Sequence, residues 1–216
     1  MKLIITPPVK ELGIDARLVS VRGATISNKS NILERRKKEA VGGLHSLAIA
    51  THPVLQGYHQ LYQRLHLPDY TPPAEHLIGL AQRNGRLPNI NTVVDCYNLV
   101  SAQTGLSVGA HDLAFIEGDL TFQLTDGSEL YVPLGESAPS PVAAGEYACM
   151  DAVKIICRLD VKQCDQTKIT KTTQALVIYV QGNANTTAEY LENGLLQLCD
   201  LLREICGGVY EVLAST

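Results

Sequence analysis

The chain has 216 residues, a formal net charge of −4, 45% apolar residues, no Trp and only two Phe. That length suits one large domain, whose core Leu, Ile, Val and Tyr must fill. The acidic balance argues against a non-specific electrostatic grip on nucleic acid, and no apolar run is long enough to span a bilayer.

The first residues, Met1 to Lys10, hold too short an apolar stretch for a secretory signal, so a cytoplasmic location is expected. Lys2 to Thr6 reads as a short strand stopped by Pro7 and Pro8, and Ala16 to Val21 as a second strand ending at Gly23. Asn31 to about Leu47 reads as a helix, with Asn31 as its cap and Glu34 closing a capping box. Its cationic run, Arg35 to Lys38, admits two readings: a solvated helix face or a contact to a phosphate backbone. Pro53 starts a helix to about Leu65, whose apolar stripe includes Val54, Leu55, Tyr58, Leu61 and Tyr62. Thr71-Pro72-Pro73 starts another to about Arg83. His45, His52, His59 and His66 recur at sevens. Two helical turns rise roughly 10 Å, too far for neighbours to share one zinc ion. Residues 1–86 therefore form a more helical N-terminal part of a single domain spanning 1–216.

Asn91 or Thr92 then caps a helix with Asp95 in its first turn and Val93, Val94, Tyr97 and Val100 on one face. Gly105 ends it. Leu106 to Gly118, with Gly109, Ala110, His111 and Asp112 at its centre, reads as a loop of small residues. Asp119 to Leu134 reads as a β-hairpin turning at Asp126-Gly127, the pair favoured in type I′ turns. Gly135 to Ala144 is an exposed loop. Glu146 to Met150 and Val153 to Leu159 are strands joined at Asp151. Lys162 to Thr173 is a polar loop. Ala175 to Val180, a continuous apolar run of β-type residues, is a central strand. A helix from about Thr186 to Ile205 has a capping box at Thr186 and Glu189, and its Leu191, Leu195, Leu198, Leu202 and Ile205 line one face. Val209 to Ala214 adds a last strand. Helices early and late around hairpins make an α+β pattern. The six cysteines show no paired zinc-site spacing and are expected to be reduced and buried.

The order of certain blocks carries a resemblance. They are Leu87-Pro88-Asn89-Ile90-Asn91, Val94 to Ser101, Gly105 to Asp112 and Gly118-Asp119. A second group is Gly145-Glu146-Tyr147 and Cys157-Arg158 through Thr167-Lys168-Ile169-Thr170. Together they resemble the tRNA-editing module of the bacterial phenylalanyl-tRNA synthetase beta subunit, more closely its free-standing version. The resemblance implies an α+β fold of mixed and antiparallel sheets, with β-hairpins flanked by helices. It implies tRNA or aminoacyl-tRNA as a transient partner, with a free amino acid as another ligand, and neither cofactor, metal nor membrane. The implied reaction is hydrolysis of the ester between an amino acid and the tRNA terminal ribose. Such a reaction asks a pocket to hold the aminoacyl group, orient water and stabilise an oxyanion. On this reading His111 is the catalytic candidate, and Asn98, Gly109, Ala110, Asp112, Glu146 and Arg158 bind substrate. Asn98 is also readable as a helix-to-loop brace, Asp112 as a loop residue, and Glu146 with Arg158 as a buried ion pair.

The chain departs from that family at two positions. The synthetase module carries a His where this chain has Gly109, and a Glu where it has Ile178 or Tyr179. Two functions are therefore carried forward: a hydrolase that clears wrong amino acids from tRNA in trans, and a non-catalytic module that binds RNA ends or amino acids.

Overall fold

The computed structural model describes residues 1–216. In chain order its elements are β1 (Leu3–Ile5), α1 (Pro7–Glu11), β2 (Asp15–Arg22), α2 (Asn31–His45), α3 (Pro53–Arg64) and α4 (Pro73–Asn84). There follow α5 (Thr92–Thr104), β3 (Ser107–Asp112), β4 (Leu120–Leu124), β5 (Leu130–Tyr131), β6 (Ser140–Pro141), β7 (Tyr147–Met150) and β8 (Ile155–Arg158). The last are β9 (Lys162–Gln163), β10 (Ala175–Gly182), α6 (Ala188–Cys206) and β11 (Val209–Leu213). No helix is long and apolar enough to cross a membrane.

The apolar run at Ala175 becomes β10, a central strand of a four-stranded antiparallel sheet in the order β11-β2-β10-β3. Leu176 to Val180 are all buried, as expected for a strand covered on both faces. Alternation then divides its side chains between two layers. Tyr179 meets Phe122 of β4 edge-on at 5.3 Å, and Gln181 donates to the Tyr147 hydroxyl of β7 at 3.0 Å. That face therefore packs on the second sheet, ordered β1-β4-β7-β8-β9, in which only the β1–β4 pair is parallel. The opposite face carries Val180 and is covered by α6, which packs on β2 and β10. The ends of the chain join the sheets. Beyond β11, Ala214 and Thr216 accept the N–H groups of Leu3 and Ile5 at 2.9 and 2.8 Å.

Helix α6 buries Leu191, Leu195, Leu198 and Leu202, and Ile205 packs at the margin. Its cap is Thr187, whose side chain accepts from the Tyr190 N–H at 3.1 Å, one residue beyond the expected Thr186. Thr186 is occupied elsewhere, donating to the Asn183 carbonyl at 2.7 Å. The same shift occurs at α2, which Ser30 caps instead of Asn31. Pro7 and Pro8 start α1 instead of merely ending β1, because a first-turn position needs no N–H donor.

Two expectations are corrected. Ser107 to Asp112 is not a loop but the strand β3, at the sheet edge beside β10. Its small and polar residues hide the alternation that would betray a strand. The hairpin at Asp126-Gly127 also does not form. Strand β4 pairs with β1 and β7, and β5 pairs with β6 in a separate ribbon. A type I′ turn needs positive φ at both central residues. Gly127 has φ 91°, but Asp126 is absent from the residues with positive φ. The Glu129 carboxylate accepts the N–H groups of Asp126 and Gly127, and Asp126 accepts from Ser128. The turn thus satisfies its own backbone without pairing the flanking segments.

Leu198 is fully buried in the α6 face. Leu198→Ala is expected to cost about 2–5 kcal/mol of stability, read by chemical denaturation. An unchanged midpoint would show that α6 contributes little to the core.

Candidate functional site

Helix α5 sets the position of one wall of the site. Asn91 caps it by accepting from the N–H groups of Val93 and Val94 at 3.1 and 3.0 Å. Gly105 ends it at φ 75°. Asp95 accepts from the Ile90 N–H at 2.8 Å and pairs with Lys37 at 3.0 Å. Lys37 also reaches Glu34, the Pro88 carbonyl and Asn89, and is only 4% exposed. Its neighbours are engaged too: Arg36 with Glu204 at 2.5 Å and Arg35 with Glu39 at 3.9 Å. Three of the four cations in this run thus face carboxylates of the chain itself.

The outer side of α5 carries Tyr97 and Asn98, both half-buried. They face a cleft of about 480 Å³ whose other walls include Val108, Tyr131, Arg158 and Asp160. Arg158 is held from behind: the Glu146 carboxylate accepts from its Nε and Nη2, and this hydrogen bonding raises the guanidinium pKa. Glu146 is 4% exposed, so its part is to orient Arg158. Leu159, between Arg158 and Asp160, sits at φ 54°, a left-handed backbone conformation that costs a branched residue energy. Burial raises the Asp160 pKa, opposed by hydrogen bonds from the Tyr62 and Tyr147 hydroxyls at 2.6 and 2.9 Å.

The four β3 candidates lie elsewhere. Gly109 is paired across the sheet with Tyr179, and a Cβ at Gly109 would run into the Tyr179 ring. Its smallness therefore seats an aromatic ring, not a ligand. Ala110 is buried opposite Ile178. His111 is fully buried, stacked on Tyr179 with ring centroids 5.8 Å apart, and its Nδ1 bonds to Thr167 Oγ1 at 2.7 Å. Burial pushes its pKa down to about 3, so the ring is neutral over most of the pH range. Asp112 accepts from the Ala114 N–H at 3.0 Å and from the Thr173 hydroxyl at 2.6 Å, which makes it a brace for the following turn. Of the two strand residues that the resemblance sets against the family's Glu, Tyr179 faces Gly109 across the sheet and Ile178 faces Ala110.

The structure brings together Asn98 and Arg158, with Glu146 behind, and leaves Gly109 to Asp112 in the interior. Asp160 and Tyr131 were not singled out from the sequence. No group of three or more His, Cys, Asp or Glu side chains is placed to hold a metal ion, and all six cysteines are buried and unpaired.

A family model described as the B3/4 domain matches residues 68–207. Among solved structures, an N-terminal fragment of the phenylalanyl-tRNA synthetase beta subunit from Pyrococcus horikoshii matches with a TM-score of 0.57 and 10% identity. The match covers 100% of this chain and 51% of that one, so the chain spans about half of the fragment's length. At that identity the likeness speaks to the fold: helices around mixed and antiparallel sheets. No curated protein matches the chain in sequence.

His111 yields a pH prediction. Its folded pKa of about 3 lies below its ordinary value of 6.5, so the unfolded chain binds the extra proton first. The stabilisation from a neutral buried ring is complete above about pH 6.5 and is lost as pH falls toward 3. His111→Gln is expected to flatten the acid limb of a melting-temperature profile between these values. An acid limb unchanged in the variant would place the responsible groups elsewhere.

Proposed function

The chain belongs to the B3/4 domain family, and on that premise we propose that it is a phenylalanyl-tRNA synthetase beta-like module that binds the aminoacyl end of tRNA. A free amino acid presents part of the same chemistry and is the second ligand class. The observation that carries the reading is the position of the cleft. It is open beside Asn98 and Arg158, whereas the candidate base His111 is sealed behind Tyr179 and Thr167. A general base must come within hydrogen-bond reach of the proton it removes, directly or through one water. His111 lacks that reach, which favours recognition over hydrolysis.

Within the cleft, the Asn98 amide forms no hydrogen bond within the chain and is free to meet a ligand's polar groups, while Tyr97, Tyr131 and Val108 offer apolar surface. Such a site recognises a short polar head on an apolar body, as an aminoacyl group is. The paired cations of α2 leave little free positive charge there for the tRNA body, so contact is confined to the terminus and is transient. The protein works in the cytoplasm, where charged tRNA is used.

The test combines binding and turnover. The protein is expected to bind a non-hydrolysable aminoacyl-nucleoside analogue, with Asn98→Ala weakening the complex by roughly 0.5–1.5 kcal/mol, the worth of one hydrogen bond. Over a panel of mischarged tRNAs it should show no deacylation above background. Turnover that His111→Ala abolishes, with folding preserved, would overturn the recognition reading in favour of trans editing.

A further inference from the structure

Arg158 and Lys162 stand directly opposite each other across the β8–β9 pair, and both line the cleft. Residues so placed share one face of the sheet, and like charges there weaken the strand pair. The chain compensates only one of the two. Glu146 takes Nε and Nη2 of Arg158 from behind, so Nη1 is not spent on it. Lys162 is exposed and takes part in no ion pair or hydrogen bond of its side chain. Its ammonium lies 5.5 Å from the centre of the Tyr70 ring, and Tyr70 in turn rests on Tyr62 with ring centroids 6.1 Å apart. A ring face steadies a cation while the N–H donors that point away from it stay free. Asn98 and Gln163, at the same cleft, add side-chain amides with no partner in the chain. Of the two carboxylates among the lining residues, Asp160 is buried beneath tyrosine hydroxyls and Glu136 is exposed and pairs with no cation. The β8–β9 wall thus offers cations and N–H donors that the chain leaves without an acceptor.

We propose that Arg158 and Lys162 together seat the phosphate group that precedes the terminal aminoacyl nucleoside of a tRNA. The proposal rests on the aminoacyl reading of the cleft and specifies which further part of the RNA end is held, and by what. An aminoacyl ester has no free carboxylate, so the nearest anion it brings is the phosphodiester on its own ribose. The planar fork of Arg158, which suits a carboxylate, is already used on Glu146. What remains is the lysine point charge and one guanidinium nitrogen, which suit the oxygens of a phosphate. Charge-assisted hydrogen bonds of this kind are roughly twice as strong as neutral ones. The pair therefore favours the end of a charged tRNA over a nucleoside that lacks the phosphate.

The experiment is calorimetric titration of the full chain with the ribose-amide analogue of phenylalanyl-adenosine, with and without a methyl phosphate on its primary hydroxyl. At low ionic strength the phosphorylated analogue is expected to bind at least about tenfold tighter, a ratio equivalent to 1.4 kcal/mol. The advantage should narrow as salt is raised, since exposed charges are screened. Lys162→Gln removes the charge at an exposed position and keeps the fold. It should cut the advantage to about threefold or less, because one of two cations is gone. Equal binding of the two analogues by the wild-type protein overturns the phosphate seat while leaving the cleft reading intact. So does an advantage that Lys162→Gln leaves whole. If neither analogue binds, the cleft reading fails and the seat with it. Should Lys162→Gln not fold, the wild-type comparison and its salt dependence still decide. L-Phenylalanine binding tighter than L-phenylalaninamide, with no gain from the phosphate, would assign the pair to a free carboxylate and overturn the proposal.

Discussion

The layers of this fold meet at one buried carboxylate. Asp160 receives hydroxyls from Tyr62 of α3 and Tyr147 of β7, and its carbonyl accepts from Ser107 of β3 at 3.2 Å. Tyr58, one turn before Tyr62, donates to the Gln181 carbonyl of β10 at 2.7 Å and accepts from the Ser107 N–H at 3.2 Å. Four elements from both sheets and a helix are thus tied into one polar network inside an apolar core. At low dielectric such bonds are strong when made and costly when missing, which fixes a single arrangement of the parts. The distance between α5 and the β8–β9 turn, and hence the width of the cleft, follows from that arrangement.

A second constraint decides which side of the sheet is open. Strand β10 places Tyr179 against β3, and only a residue without a Cβ fits opposite. Gly109 therefore serves packing, and the ring it admits stacks on His111 and closes that side of the interior. Polar chemistry is pushed outward to where β8 ends, with Arg158 and Asn98 both lining the cleft. Glu146 holds Arg158 in place.

Much of the framework was legible in the sequence because it depends on local rules. Asn91 and Gly105 bound α5, prolines open α3 and α4, the apolar run of β10 marks a strand covered on both sides, and leucines at helical spacing mark the buried face of α6. What was misread depends on partners distant in sequence. Ser107 to Asp112 has a loop's composition, yet it is a strand because β10 lies beside it and demands small residues. Asp126-Gly127 has a hairpin's turn chemistry, yet Phe122 finds its partner in Cys149 of β7, well beyond the turn. Among site residues, Asn98, Glu146 and Arg158 came from the resemblance and converge at the cleft. His111, the catalytic candidate on the resemblance, is a core residue because Thr167 bonds one nitrogen and Tyr179 covers the ring, neither of which its own neighbourhood in sequence reveals. Asp160 was passed over because nothing local marks a carboxylate that distant tyrosines will bury.

The central claim is that recognition occurs in the cleft between α5 and the β8–β9 turn, outside the sealed interior around His111. Backbone amide NMR during titration with L-phenylalaninamide tests it most directly. The account predicts saturable shifts gathered at Tyr97, Asn98, Val108 and residues 158–163. Shifts gathered instead around His111, Thr167 and Tyr179, with the cleft residues silent, would contradict it.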